Sequence, residues 1–285
     1  MKTLVIFLMV AAIFVSADAF AVEMSDLMPV LKQVKKDINS TLSEIDKDLK
    51  AAAKSLSVVD LKSDDARKIL NGLRKFRPYV VADIITNADG VNVTIEPEEY
   101  RKYEDSESKN IPHIVQLLKA KKPALSDVYT TTEDIDAVSI GYPIFSDKGE
   151  LLGAVRMLIK HEVFLKPLAD NKPCKVWLMQ PNGLIIYDPD TEEIGRNIFT
   201  DPIYKPFEDL KSFSKTVALS NSGAGSYDFY AGGLQDKTLA KKVAVWDTVG
   251  LYGTEWRVVV MEIQEPIEVK PAEAKQPATV KPQGK

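Results

Sequence analysis

One arginine set into an apolar run makes the clearest demand for a partner in this chain. Arg156 interrupts Gly153-Ala154-Val155-Arg156-Met157-Leu158, and a buried guanidinium needs an anion or an equivalent set of acceptors. Two answers stand side by side: a small anionic ligand, or an internal bridge to Asp83, Glu133 or Asp136. Upstream lie Tyr100, Tyr103, His113, Tyr129 and Tyr142. Aromatic walls with a few polar groups are the ordinary make-up of a small-molecule pocket. For the tyrosines the alternative is plain sheet packing. For His113, which follows Pro112, it is a capping or surface position. With Arg156, these five residues form the candidate ligand-binding set.

Other chemistries find little support. His113 and His161 are the only histidines and Cys174 is the only cysteine. A multi-histidine metal centre, a cysteine zinc site and an intrachain disulfide are therefore excluded. The acidic stretch Asp188-Pro189-Asp190-Thr191-Glu192-Glu193 lacks the glycine and the oxygen spacing of an EF-hand loop, so no metal is read there. No G-x-S-x-G or P-loop motif occurs, and the carboxylates are scattered over turns and helix faces. The chain reads as non-catalytic and free of cofactors. With 37 basic and 41 acidic side chains and a formal net charge of −4, it carries no nucleic-acid footprint. At 45% hydrophobic and 27% charged it can bury a core, and 285 residues allow one large domain or two small ones.

The elements that must position these residues can be read from patterning. Residues 4–15 are a twelve-residue apolar run behind Lys2, followed by two A-x-A patterns ending at Ala19 and Ala21. That is signal-peptide anatomy, with cleavage expected after Ala21. An uncleaved anchor is the rival, but a span needs about 20 apolar residues. The mature protein is expected to be soluble, in the periplasm or outside the cell. Residues 24–59 place Met24, Met28, Leu31, Ile38, Leu42, Ile45, Leu49, Ala52, Leu56 and Val59 in a 4-3 pattern broken only by Lys35. Such a helix is about 50 Å long. Its seam suits either a coiled-coil homodimer or a spine along two domains of its own chain.

Ser63-Asp64-Asp65 caps a second helix over 66–76. A hairpin follows, with strands at 79–86 and 91–95 around Asn87-Ala88-Asp89-Gly90. Short helices are expected at 97–103 and 111–121, and strands at 124–131, 135–145 and 150–159. The layout then repeats. Strands at 175–179 and 184–187 flank Pro181-Asn182-Gly183, a mixed section covers 188–210, and strands are expected at 216–220, 225–230, 241–249 and 256–263. Gln180-Pro181-Asn182-Gly183 answers Asn87-Ala88-Asp89-Gly90, and 241–263 answers 136–159. Trp177, Trp246 and Trp256 are expected to build the second core, with packed Trp256 leaving little room for a ligand. The expected segments are a leader at 1–21, the helix at 22–62, a first unit at 63–165, a second at 166–264, and an extended Pro/Lys-rich tail at 265–285.

This order of elements resembles the double Cache (dCache, PAS-like) family of extracellular sensor domains. Three stretches carry the likeness. They are Ala82-Asp83-Ile84-Ile85-Thr86-Asn87-Ala88-Asp89-Gly90 with Pro97-Glu98-Glu99-Tyr100, Tyr142-Pro143-Ile144-Phe145-Ser146-Asp147-Lys148-Gly149-Glu150-Leu151-Leu152-Gly153, and Asn182-Gly183-Leu184-Ile185-Ile186-Tyr187-Asp188 with Ile194-Gly195-Arg196-Asn197. The resemblance implies an α+β fold in which two PAS-like antiparallel sheets stack along the long N-terminal helix. It implies a small-molecule ligand bound by the first, membrane-distal-type unit, of carboxylate, amino-acid or amine class. The family's Arg/Trp motif ahead of the meander has no counterpart in 103–116, nor has the Asp of its last strand in 153–158. The family normally continues into a membrane helix and an output module, where this chain has its Pro/Lys tail. A stand-alone exported sensor is therefore expected, reporting to a membrane receptor or transporter. The alternative is a non-catalytic envelope protein that assembles through its heptad helix.

Overall fold

The structure, a computed structural model, describes residues 17–132 and 134–266. The body of the expected leader, Glu133 and the tail beyond Pro266 lie outside the described residues. The long helix is α1, Ala17–Leu56, 40 residues and about 60 Å in length. Its buried face is Leu27, Leu31, Val34, Ile38, Leu42, Ile45, Leu49, Ala52 and Leu56. The expected seam differs at its start. Leu27 and Val34 are buried where the 4-3 pattern placed Met28 and the Lys35 break, and Met28 is 39% exposed. From Leu27 to Leu56 the seam averages about 3.6 residues per turn, the period of a straight helix, whereas a coiled coil needs 3.5. The partner along this face is the chain itself: α1 packs on β5, β6, β10 and β11 of the two sheets introduced below.

Helix α2, Asp64–Arg74, starts at Ser63, whose Oγ accepts from the Ala66 N–H at 3.2 Å. The first sheet comprises β1 (Val80–Asn87), β2 (Asn92–Glu96), β3 (Ala124–Leu125), β4 (Tyr129–Thr130), β5 (Asp136–Phe145) and β6 (Leu151–Ile159), in the order β2-β1-β6-β5-β3 with β4 also on β5. The single strand expected at 124–131 is thus two short ones. A 3-10 turn, Glu98–Tyr103, and α3, Pro112–Leu118, cover this sheet.

The second sheet comprises β7 (Lys175–Met179), β8 (Ile185–Tyr187), β9 (Gly223–Tyr230), β10 (Leu239–Leu251) and β11 (Thr254–Pro266), in the order β8-β7-β11-β10-β9. The five-strand path is the same as in the first sheet, and every pairing is antiparallel. The hairpin turns of the two units match as well. Gly90 and Gly183 both have positive φ, and a Cβ on either would come within 2.4 Å of Lys109 or Phe199.

Two elements depart from expectation. Residues 216–220, read as a strand, fall largely in α5, Glu208–Leu219. Leu210, Phe213 and Val217 sit three or four residues apart and bury against the second sheet, and that helical spacing overrides the β-branched local composition. Helix α4, His161–Ala169, has no counterpart among the expected elements and forms despite Pro167 inside it. Burial of Phe164 and Leu165 against α1 and both sheets holds it in place.

Each sheet buries two faces. Val138, Ile140, Val155 and Met157 of the first, and Val176, Leu178, Val243, Val245, Val258 and Val260 of the second, join one core with α1. Trp256 points into this shared core against Phe164, with ring centroids 6.5 Å apart. Contrary to expectation, it does not fill the second unit. The opposite face of the second sheet carries Trp177, Met179, Tyr227, Phe229, Trp246 and Met261 beneath α5.

Leu42 is 1% exposed in the shared core. Leu42→Lys is therefore expected to cost several kcal/mol, about 3 or more, and to unfold the protein without changing any association state. Circular dichroism and sedimentation of both proteins check this. A folded monomer derived from a wild-type dimer would assign the seam to an intermolecular contact instead.

Candidate ligand-binding site

On the first sheet, Arg156 sits in β6 on the face away from α1. It is 4% exposed, and its cross-strand neighbours are Ile84 and Gly141. Its Nε donates to Thr86 Oγ1 at 3.2 Å and its Nη2 to Asn92 Oδ1 at 2.8 Å. Asn92 Oδ1 also accepts from Thr86 Oγ1 at 2.9 Å and Ser108 Oγ at 3.0 Å. Asp83, considered as its partner, pairs in register with Met157 and so faces the α1 side, where burial holds its carboxyl well above the ordinary range. Asp136 instead accepts from Thr130 Oγ1.

His113 projects from α3 and stacks on Tyr129 with centroids 4.9 Å apart. Burial, and then the nearby Arg156 charge, push its pKa down to about 3. Tyr100, Tyr103 and Tyr129 pack around Ala82, Ile84, Ile95, Ala137 and Leu158 on this same face. Tyr142 does not join them: it packs in the α1 core across the sheet. Gly141 lets α3 come close, because a Cβ there would stand 2.7 Å from Leu117 Cδ1 and 3.1 Å from Arg156 Cβ. The structure thus gathers five of the six candidates on one face, with the guanidinium already bonded to Thr86 and Asn92.

The second sheet has a partly enclosed cavity of about 290 Å³ on the corresponding face. Trp177, Tyr227, Phe229 and Met261 come from the sheet and Leu210 from α5. Asp188, Asp190, Glu193 and Ile198 come from the segment after β8. Asp190 staples the mouth: Oδ1 accepts from the Glu192 N–H at 3.1 Å and Oδ2 from the Leu234 N–H at 2.7 Å.

Lys242 enters this cavity from β10, cross-strand from Tyr227, and is 4% exposed. Its Nζ stands 5.1 Å from the Phe229 ring centroid and 5.9 Å from that of Tyr227. It makes no hydrogen bond or ion pair among the described residues. Burial lowers its pKa to about 8, against the pull of Asp188 and Glu193. Glu193 accepts from Tyr204 Oη at 3.1 Å, yet burial raises its pKa to about 7. Burial, and then the charge of Glu193, hold Asp188 well above the usual carboxylate range. Its Oδ1 accepts from the Asp190 N–H at 2.8 Å. The other buried cation of this unit is committed elsewhere, since Arg257 caps the end of α5 through Val217 O at 3.1 Å.

Sequence reasoning missed Lys242, Asp188 and Glu193 as site residues. The signal for Lys242 was its phase: it alternates with Ala244 and Trp246 in a strand whose other face, Val243 and Val245, is equally apolar. The acidic stretch gave no such signal, because its inward turn depends on the loop that Asp190 staples.

Two comparisons bear on this arrangement. Residues 40–161 match the family described as HK/GC/chemotaxis protein-like, sensor domain. The fold also matches solved sensor domains. An extracellular ligand-binding receptor from Desulfohalobium retbaense aligns over 83% of this chain at 24% identity with a TM-score of 0.69. The fold of this chain is that of the double Cache sensor domains. The aligned part spans only 40% of the Desulfohalobium receptor. The ligand-binding domains of the Pseudomonas aeruginosa chemoreceptors PctB, solved with L-Arg, and PctC, solved with GABA, share the fold at lower identity. PctB covers 84% of this chain and 94% of its own at 14% identity and a TM-score of 0.58. PctC covers 84% and 98% at 16% identity and a TM-score of 0.58. No curated protein matches the sequence. No helix among the described residues is long and apolar enough to cross a membrane.

The raised pKa of Glu193 ties stability to pH. Folded, Glu193 titrates near 7 against an ordinary 4.5. The stability this gives is complete below the unfolded value and is lost as pH rises through about 7. Lys242, lowered to about 8, acts in a separate window, with stability rising as pH climbs from there towards 10.5. Buried His113, depressed to about 3, works in the opposite direction over part of this range, so the contribution is read as a difference between two proteins. In urea titrations at about pH 5 and about pH 7.5, wild type should lose on the order of 1–3 kcal/mol relative to Glu193→Gln, and identical pH slopes for the two would remove Glu193 as a source.

Proposed function

We propose that this double Cache domain senses a small molecule in the cavity of its second unit and reports occupancy to a membrane-bound receptor or transporter. The observation that carries this reading is Lys242, a buried side chain whose ammonium faces a cavity of about 290 Å³ and has no acceptor among the described residues. Burying a cation without an acceptor is costly, and a ligand that supplies one recovers that cost. A route for the signal exists in β10. Lys242, Ala244 and Trp246 face the cavity side, while Val243 and Val245 pack in the α1 core. Movement of that strand on binding would be felt along the spine. The amino acids bound by the chemoreceptor relatives suggest the size of ligand to try.

A second reading keeps the ligand on the first unit, at Arg156 with Tyr100, Tyr103, His113 and Tyr129. It is favoured by the buried polar cluster of Thr86, Asn92 and Ser108 around the guanidinium. A thermal-shift screen of amino acids, carboxylates and amines, followed by isothermal titration of the best hit, separates the two. A ligand at about 100 Kd stabilises by roughly 2.7 kcal/mol. Lys242→Met should abolish the shift and Arg156→Ala should leave the affinity in place. The reverse outcome moves the site to the first unit.

Export belongs to the same proposal. Residues 1–21 act as a cleaved leader, so N-terminal sequencing of the envelope or secreted protein should begin at Val22. Recovery of membrane-bound protein with Met1 intact would overturn the soluble assignment.

A further inference from the structure

The second-unit cavity has an uneven set of hydrogen-bonding needs. Lys242 offers three N–H donors and has no acceptor among the described residues. Tyr204 Oη already occupies Glu193 Oε2, and the Asp190 N–H occupies Asp188 Oδ1. Asp188 and Glu193 keep one further oxygen each; burial raises the proton affinity of both carboxyls, and once protonated that oxygen can donate. A ligand group that accepts from all three completes the site. The aromatic faces are also taken, because the Lys242 ammonium lies over Phe229 and Tyr227 where an incoming ammonium would otherwise sit. A second cation there would be repelled at short range in a poorly hydrated space. Ile185, Ile198, Leu210 and Met261 leave the rest of the cavity apolar.

Resting on the reading that this cavity is the sensing site, we infer that its ligand is a small organic anion. A carboxylate on a compact apolar body accepts from Lys242 and is flanked by Asp188 and Glu193, which take up a proton as it binds. The other charged or titratable groups facing these three are Lys175, Asp190, Asp236, Arg196, Tyr204 and Tyr227. Lys175 is exposed at the mouth, and the two Asp carboxylates already accept backbone N–H groups. Proton uptake therefore falls to Asp188 and Glu193. An anion brought beside them raises their proton affinity further, so binding weakens as pH rises.

The test uses two sets of probes that share a body and differ only in the head group. One set is phenylacetate, phenylacetamide, 2-phenylethylamine and phenylalanine; the other is isovalerate, isovaleramide, isoamylamine and leucine. Isothermal titration of the full chain is run on wild type, Lys242→Met and Arg156→Ala, with folding of the variants checked by circular dichroism. The carboxylate of at least one set should bind best. Its affinity should fall about tenfold or more between about pH 6.5 and about pH 8.5, with proton uptake seen as a buffer-dependent enthalpy. Lys242→Met should lose at least about tenfold in that affinity. If the amine or the amino acid binds best, with Lys242→Met still affecting it, the cavity reading stands and the anion assignment falls. A pH-independent affinity also removes the anion assignment. If no probe binds, or if binding ignores Lys242→Met and is lost in Arg156→Ala, both readings of this cavity fall together.

Discussion

The rest of the structure depends on one helix face buried against two sheets at once. The α1 seam from Leu27 to Leu56 is shared by β5 and β6 of the first unit and by β10 and β11 of the second. Both sheets cover that face, and helix and sheets are the packed layers of one core. The hydrophobic area removed from water along the seam therefore belongs to both units jointly. This also explains why a pattern that reads as a dimer seam closes within one chain. Its period is that of a straight helix laid over sheets, and the one polar interruption, Lys35, reaches Asp247 of β10 at 2.7 Å.

With one sheet face committed to the spine, the opposite face of each unit becomes the place where polar residues can do something specific. The duplicated topology offers that place twice, and the two copies have diverged in how they fill it. In the first, Gly141 admits Leu117 close to the sheet, and Arg156 is satisfied by Thr86 and Asn92. The internal hydrogen bonds offset the desolvation of the guanidinium. In the second, α5 covers one part of the sheet, while the segment after β8 stands off from the rest and leaves a cavity. There the buried cation has aromatic faces and no acceptor among the described residues, and burial raises the proton affinity of the acids around it. Shared architecture with different satisfaction of buried charge is what distinguishes the two units.

The strands that line the cavity also touch the spine, so a ligand has a mechanical route to α1 that needs no separate hinge. Alternation along β10 puts Lys242 on one side and Val243 on the other, one residue apart. A packed core passes small displacements on because it has little free volume to absorb them.

Much of the architecture was legible from residue patterning: the long helix, the cap at Ser63, both hairpins with Asn87–Gly90 and Gln180–Gly183 at their tips, and the internal repeat. These follow from local periodicity and turn chemistry, which a sequence carries explicitly. The seam phase at Leu27 and Val34, the helix containing Thr216, and α4 despite Pro167 were decided by long-range burial, which outweighs local preference by several side chains at a time. The candidate site divides in the same way. The sequence by itself marked Arg156 as a buried cation needing acceptors, and the tyrosines of the first unit as its neighbours. Only the tertiary structure decided that Thr86 and Asn92 meet that need, that Tyr142 lies across the sheet, and that Trp256 turns to the spine. It alone brought Lys242, Asp188 and Glu193 around one cavity, because electrostatic need depends on which groups face each other after folding and spacing along the chain does not reveal that.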